Sequence, residues 1–128
     1  MANGQEWTHV PGVGMVNRAA FPGPAPELGC HARAKLTASE RKALPITTGV
    51  LDYFPDALLE VATASLSGNR QYDLGPLHWD RSKSTDEADA LVRHLLDRGK
   101  RDADGVRHSA KVAWRALAML QREIEEGR

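Results

Sequence analysis

Hydrophobic positions fall into helical period only from about residue 37 onward. Thr37-Ala38-Ser39-Glu40 has the hydroxyl-to-carboxylate spacing of a capping box, opening a short helix that Pro45 ends. Residues 46–54 combine Gly49 with the β-formers Thr47, Thr48, Val50 and Tyr53, which predicts a loop or a short extended piece. Pro55 suits the first position of a second helix, continued by Ala57, Leu58, Leu59, Val61, Ala62 and Leu66 and stopped by Gly68. Residues 69–83 read as a loop. A second capping box, Ser84-Thr85-Asp86-Glu87, opens a third helix. Its apolar residues Ala88, Leu91, Val92, Leu95 and Leu96 form one stripe, and Gly99 closes it. The last helix starts near Asp104 or Val106 and runs to about Glu125. Its core stripe is Val106, Ala110, Ala113, Leu117, Leu120 and Ile124, with a weaker strip of Val112, Ala116 and Met119 round the side. A helix apolar on two sides needs a second partner, which predicts a homo-oligomer.

Residues 1–36 hold four of the seven prolines and five of the eleven glycines and show neither period. They read as an extended arm, ordered where Trp7 and Phe21 dock on the body or on a neighbouring subunit. The expected fold class is therefore all-α: a small bundle of three main helices plus a short one over residues 37–128, behind a long irregular arm over 1–36.

Composition narrows the function. Lys+Arg and Asp+Glu both number 17, so no global field favours duplex nucleic acid or an anionic membrane, and any cationic site is local. Only seven residues are aromatic, so a monomeric core would be thin, a second reason to expect self-association. Cys30 is the one cysteine, which excludes an internal disulfide and suits a reducing compartment. The amino terminus lacks the pattern of a secretory leader, and no apolar run approaches the ~20 residues of a membrane span. A soluble, cytoplasmic protein is expected.

Groups able to touch a charged ligand concentrate between Gly68 and Trp114. Arg93, His94 and Arg98 sit late in the third helix, Lys100 and Arg101 in the connection, and Arg107, His108, Lys111 and Arg115 open the last helix. A short connection makes these helices antiparallel neighbours, so the cluster gathers at one end of the bundle. Arg93, Arg107, His108 and Lys111 are the candidate phosphate ligands. For Lys111, Arg115 and Arg122 a plain solvated face is the competing reading. Asp56 and Glu60, one turn apart, and Asp89 beside Asp86 are candidate oxygen ligands for Mg2+. The competing account gives Asp86 and Glu87 to the helix dipole and Asp89 to an i+4 pair with Arg93. Asn69, Tyr72 and Trp79 are candidates to engage a base, against the simpler reading that the aromatics seal the bundle end. A Ser/His/Asp triad, a cysteine nucleophile and the usual zinc spacings have no support.

From about Thr37 to Glu125 the chain resembles the dATP/dGTP diphosphohydrolase amino-terminal family of phages and bacteria, which is related to the all-α MazG-like nucleotide pyrophosphohydrolases. The resemblance rests on Pro55-Asp56-Ala57-Leu58-Leu59-Glu60-Val61-Ala62, Gly68-Asn69-Arg70-Gln71-Tyr72, His78-Trp79, Arg93-His94-Leu95, and Asp104-Gly105 followed by His108 and Ala113-Trp114. It implies a helical oligomer, dimer or tetramer, in a bacterial or phage-infected cell. It also implies Mg2+-dependent release of pyrophosphate from a deoxynucleoside triphosphate. On that reading Glu60, an acid in an otherwise apolar run, and His94 of the cationic cluster are the candidate catalytic residues. The chain departs from the MazG-like pattern, because Asp56 and Glu60 stand where those enzymes have a Glu-rich helix, and no carboxylate lies between Asp104 and Glu123. That thin acid set keeps an alternative open: a non-catalytic, phage-type binder that sequesters a nucleotide, such as a cyclic defence signal, with no cofactor.

Overall fold

In the computed structural model the described residues are 7–10, 14–17, 35–72, 75–83 and 85–128. The body is helical. Helices α1 (Ala38–Ala43), α2 (Pro55–Tyr72), α3 (Glu87–Leu96) and α4 (His108–Glu125) are joined by a π-helical turn, Thr47–Leu51, and a 3-10 turn, Arg81–Lys83. The arm adds an element that the apolar pattern did not announce. Strands β1 (Trp7–Val10) and β2 (Gly14–Asn17) pair antiparallel, Trp7 opposite Asn17 and Val10 opposite Gly14. Aromatic and β-branched residues (Trp7, Thr8, Val10, Val16) flank Pro11-Gly12, a hairpin signal too short to show a period. Cys30 and Phe21 lie outside the described residues.

Element boundaries follow local chemistry. The first capping box forms: the Thr37 hydroxyl accepts from the Glu40 N–H at 3.2 Å, and Glu40 Oε2 accepts from the Thr37 N–H at 2.7 Å. At α3 the N-cap is Asp86, whose carboxylate makes no cap bond but accepts from Arg93 at 2.9 Å; Ser84, the expected capping hydroxyl, lies outside the described residues. Residues 47–51 are a π turn, not extended, closed by the Asp52 N–H on the Thr47 carbonyl at 2.8 Å. Gly49 packs against Pro45 there, where an added Cβ would lie 3.1 Å from the proline ring. Gly68 does not stop α2, which runs one further turn to Tyr72. A single glycine costs a helix only about 1 kcal/mol, and Gly75-Pro76 is the stronger break.

Helix α4 is the centre of the bundle, with α3 on one side and α2 on the other. Ala90 of α3 and Ala110 and Ala118 of α4 are buried, with Val106 just before α4. Small side chains let the helices approach closely, which turns the large ones outward. Leu117 and Leu120, expected in the core stripe, are 56% and 52% exposed, and Leu59 and Leu96 reach 69% and 74%. Arg81 ties the 3-10 turn to the end of α4 through a bidentate pair with Glu125 at 2.9 and 2.8 Å. Among the described residues, no helix is long and apolar enough to cross a membrane.

Candidate functional site

The connection between α3 and α4 builds the chemical centre. Asp102-Ala103-Asp104-Gly105 is a tight turn: the Gly105 N–H donates to the Asp102 carbonyl at 2.9 Å, and Gly105 takes φ +81°, which only glycine adopts freely. Arg101 and Arg107 bridge antiparallel across it, and the His108 N–H reaches the Lys100 carbonyl at 3.1 Å. This small hairpin projects two carboxylates back over the first turns of α4.

Lys111 of α4 joins them, with Nζ 2.7 Å from Asp102 Oδ2 and 2.8 Å from Asp104 Oδ2. Asp104 also accepts from the Ser67 hydroxyl at 2.6 Å, which fastens the turn to α2, and from the Val106 N–H at 3.0 Å. Burial opposes ionisation of Asp104, but the Lys111, Ser67 and Val106 donors outweigh it and hold the carboxyl at about 2. Asp102 is lowered by Lys111 and by the Ala103 N–H. For Lys111, burial works against the charged form, and the two carboxylates more than restore it, leaving the ammonium raised.

Beside this triad, His94 near the end of α3 meets His108 at the start of α4, Nδ1 to Nδ1 at 2.9 Å with the rings tilted by 40°. Burial, then the charges of Lys111 and His108, push His94 below the ordinary imidazole value, although Asp102 pulls the other way. The contact joins the two rings through one Nδ1–H and one bare Nδ1. His94, Asp102 and His108 form a group whose nitrogen and oxygen donors all lie within 4.8 Å of one another.

A cavity of about 480 Å3 opens in front of these groups, within the range of small-molecule sites. Its acids are Asp80, Asp102 and Asp104 and its cations Lys83, Lys111 and Arg115, so the formal charge of the lining cancels. One wall is Trp79 edge-on to Trp114, ring centres 5.7 Å apart, with the Arg81 guanidinium 4.1 Å from the Trp79 ring. Arg115 reaches the buried Glu87 at 3.8 Å, as does Arg122.

The residues expected from sequence divide clearly. His94, Lys111, Trp79 and Asn69 line the cavity, and His108 stands against His94. Asn69 has a structural task, since its amide donates to the Gly75 carbonyl at 3.2 Å and accepts from the His78 N–H at 3.4 Å. Arg93 and Arg107 do not line the cavity: Arg93 pairs with Asp86 at 2.9 Å and Arg107 with Glu60 at 3.5 Å. Asp56, Glu60 and Asp89 do not line it either, and they are not gathered into a ligand group among the described residues. Tyr72 ends α2, and its side chain lies outside the described residues. Sequence reasoning missed Asp102 and Asp104 as a unit and gave Trp114 no role; Arg115 was counted in the cationic cluster but not among the candidate phosphate ligands. The Asp-x-Asp-Gly spacing was the available signal for the first pair.

No curated protein and no solved structure matches the chain. Residues 34–128 match the family described as dATP/dGTP diphosphohydrolase, N-terminal, and on that match, which spans every group of the cavity, the chain belongs to that family.

Proposed function

We propose that this protein binds a deoxypurine nucleoside triphosphate in the cavity and hydrolyses it to the monophosphate and pyrophosphate. The observation that carries the reading is the Asp102–Lys111–Asp104 triad beside the paired imidazoles of His94 and His108 and an aromatic wall, in a chain of this family. The Trp79 and Trp114 faces suit a purine, and Lys83, Lys111 and Arg115 suit phosphoryl oxygens. Water attacks the α-phosphorus, the bond to the bridging oxygen breaks, and pyrophosphate leaves with the electron pair while the water's proton passes to solvent. Lys111 and Arg115 stabilise the charge that gathers on the phosphoryl oxygens.

The cancelling charge of the lining implies that a triphosphate enters with a divalent cation. Asp102, with the imidazoles of His94 and His108 beside it, is a donor set that fits one, whereas Asp56, Glu60 and Asp89 do not line the cavity. When bound, such an ion polarises the phosphoryl oxygens and lowers the pKa of a bound water. We further propose that the exposed leucines of α2, α3 and α4 are covered by a second copy of the chain. The test of the reaction is incubation of dATP and dGTP with purified protein and Mg2+ or Mn2+, followed by chromatography of the products. Monophosphate and pyrophosphate in equal amounts, lost in Lys111→Met, support the reading. Intact triphosphate under every condition refutes hydrolysis and leaves sequestration.

A further inference from the structure

We propose that His94, Asp102 and His108 form a binding site for one divalent transition-metal ion, of the Mn2+, Co2+ or Zn2+ class and not Mg2+. The three donors converge from three elements, the end of α3, the connecting hairpin and the start of α4. Two ligand atoms about 2.1 Å from a common ion lie about 3 Å apart when they subtend a right angle. The Nδ1 atoms of His94 and His108 are already 2.9 Å apart. An ion would replace the one shared proton between them, with both rings then carrying their proton on Nε2.

Asp102 completes a two-imidazole, one-carboxylate set. Its Oδ2 holds Lys111 and its Oδ1 accepts from the Ala103 N–H at 2.7 Å. A carboxylate offers about four lone-pair positions, so capacity for a cation remains. The local charge also favours one: Asp102 and Asp104 carry two negative charges against the single charge of Lys111. Nitrogen donors select the ion, because imidazole suits first-row transition metals and Mg2+ demands oxygen. The sequence hides this set, since His94, Asp102 and His108 follow none of the usual ligand spacings and meet only when α3 folds back on α4.

This inference goes beyond the nucleotide reading, and its test uses the metal alone. Metal-stripped full-length protein is titrated with Co2+, following the visible ligand-field band, in a large excess of Mg2+. The expected result is saturation at one Co2+ per chain. His94→Gln and His108→Gln should each weaken binding ~10-fold or more, with helical content checked by circular dichroism. If a variant fails to fold, 15N spectra of wild-type imidazoles with Zn2+ decide: two of the five histidines should move to the Nε2–H tautomer with metal on Nδ1. Absence of stoichiometric Co2+ binding, displacement by Mg2+, or unchanged imidazole spectra overturns the site. Binding of Co2+ without turnover of dATP retains the site and removes only the hydrolase.

Discussion

Lys111→Met removes the charge that holds the interhelical hairpin together and keeps the volume of the stem. In the wild type Nζ makes two charge-assisted contacts, 2.7 Å to Asp102 and 2.8 Å to Asp104, and its side chain is 18% exposed. Each such bond contributes about 1.5–3 kcal/mol when well buried. The acceptors are about one-third exposed, so solvent screening reduces the sum, and a loss of roughly 2 kcal/mol is expected at pH 7. The pH dependence has a definite sign. Asp104 is held at about 2 against an ordinary 3.8, and Asp102 is also lowered. Their contribution is full above the unfolded value and disappears as pH falls through the folded one. The deficit of Lys111→Met should therefore be constant from pH 7 to about 5 and shrink between about pH 4 and 2. Urea denaturation followed by helical circular dichroism measures it, and Asp104→Asn in the Lys111→Met background should recover part of the loss by removing the repulsion left behind. A change below about 0.5 kcal/mol at pH 7, or a deficit undiminished at acid pH, refutes the reasoning.

Glu87 is buried between Arg115 and Arg122, each at 3.8 Å, and its Oε1 has no hydrogen-bond partner. Glu87→Gln should destabilise by about 1–3 kcal/mol in urea melts and release Arg115 from its seat at the cavity. Asn69→Ala removes both amide contacts to residues 75 and 78, so limited proteolysis should cut the 75–80 loop faster while α2 keeps its helicity. Leu117→Glu with Leu120→Glu should convert an oligomer to a particle near 14.0 kDa in light scattering. A wild type already at that mass removes the covering copy.

The helical body was legible because α1, α3 and α4 announce themselves by capping residues or by period, and the structure keeps all three. Depth was not legible. Sequence period identifies an apolar face but not which part of it meets a neighbour, and small residues won the close contacts, so Ala110 and Ala118 are buried while Leu117 and Leu120 are not. The site was legible one residue at a time. His94, His108, Lys111 and Trp79 were all candidates, but their partners are set by the turn between α3 and α4, whose geometry depends on the positive φ of Gly105. Arg93 and Arg107 flank the apolar stripes and were the stronger candidates in sequence, whereas Lys111 also read as part of a solvated face. They pair with Asp86 and Glu60 away from the cavity, whereas Lys111 falls between two acids that the turn brings back to it.

The central claim, that the cavity receives the nucleotide, is tested most directly by the indole N–H signals of the three tryptophans during titration with dGTP. Trp79 and Trp114 form the cavity wall, whereas Trp7 belongs to β1 of the arm. Saturable shifts of the Trp79 and Trp114 signals with Trp7 unmoved are the predicted result. Saturable nucleotide binding that leaves both cavity indoles unmoved would contradict the account.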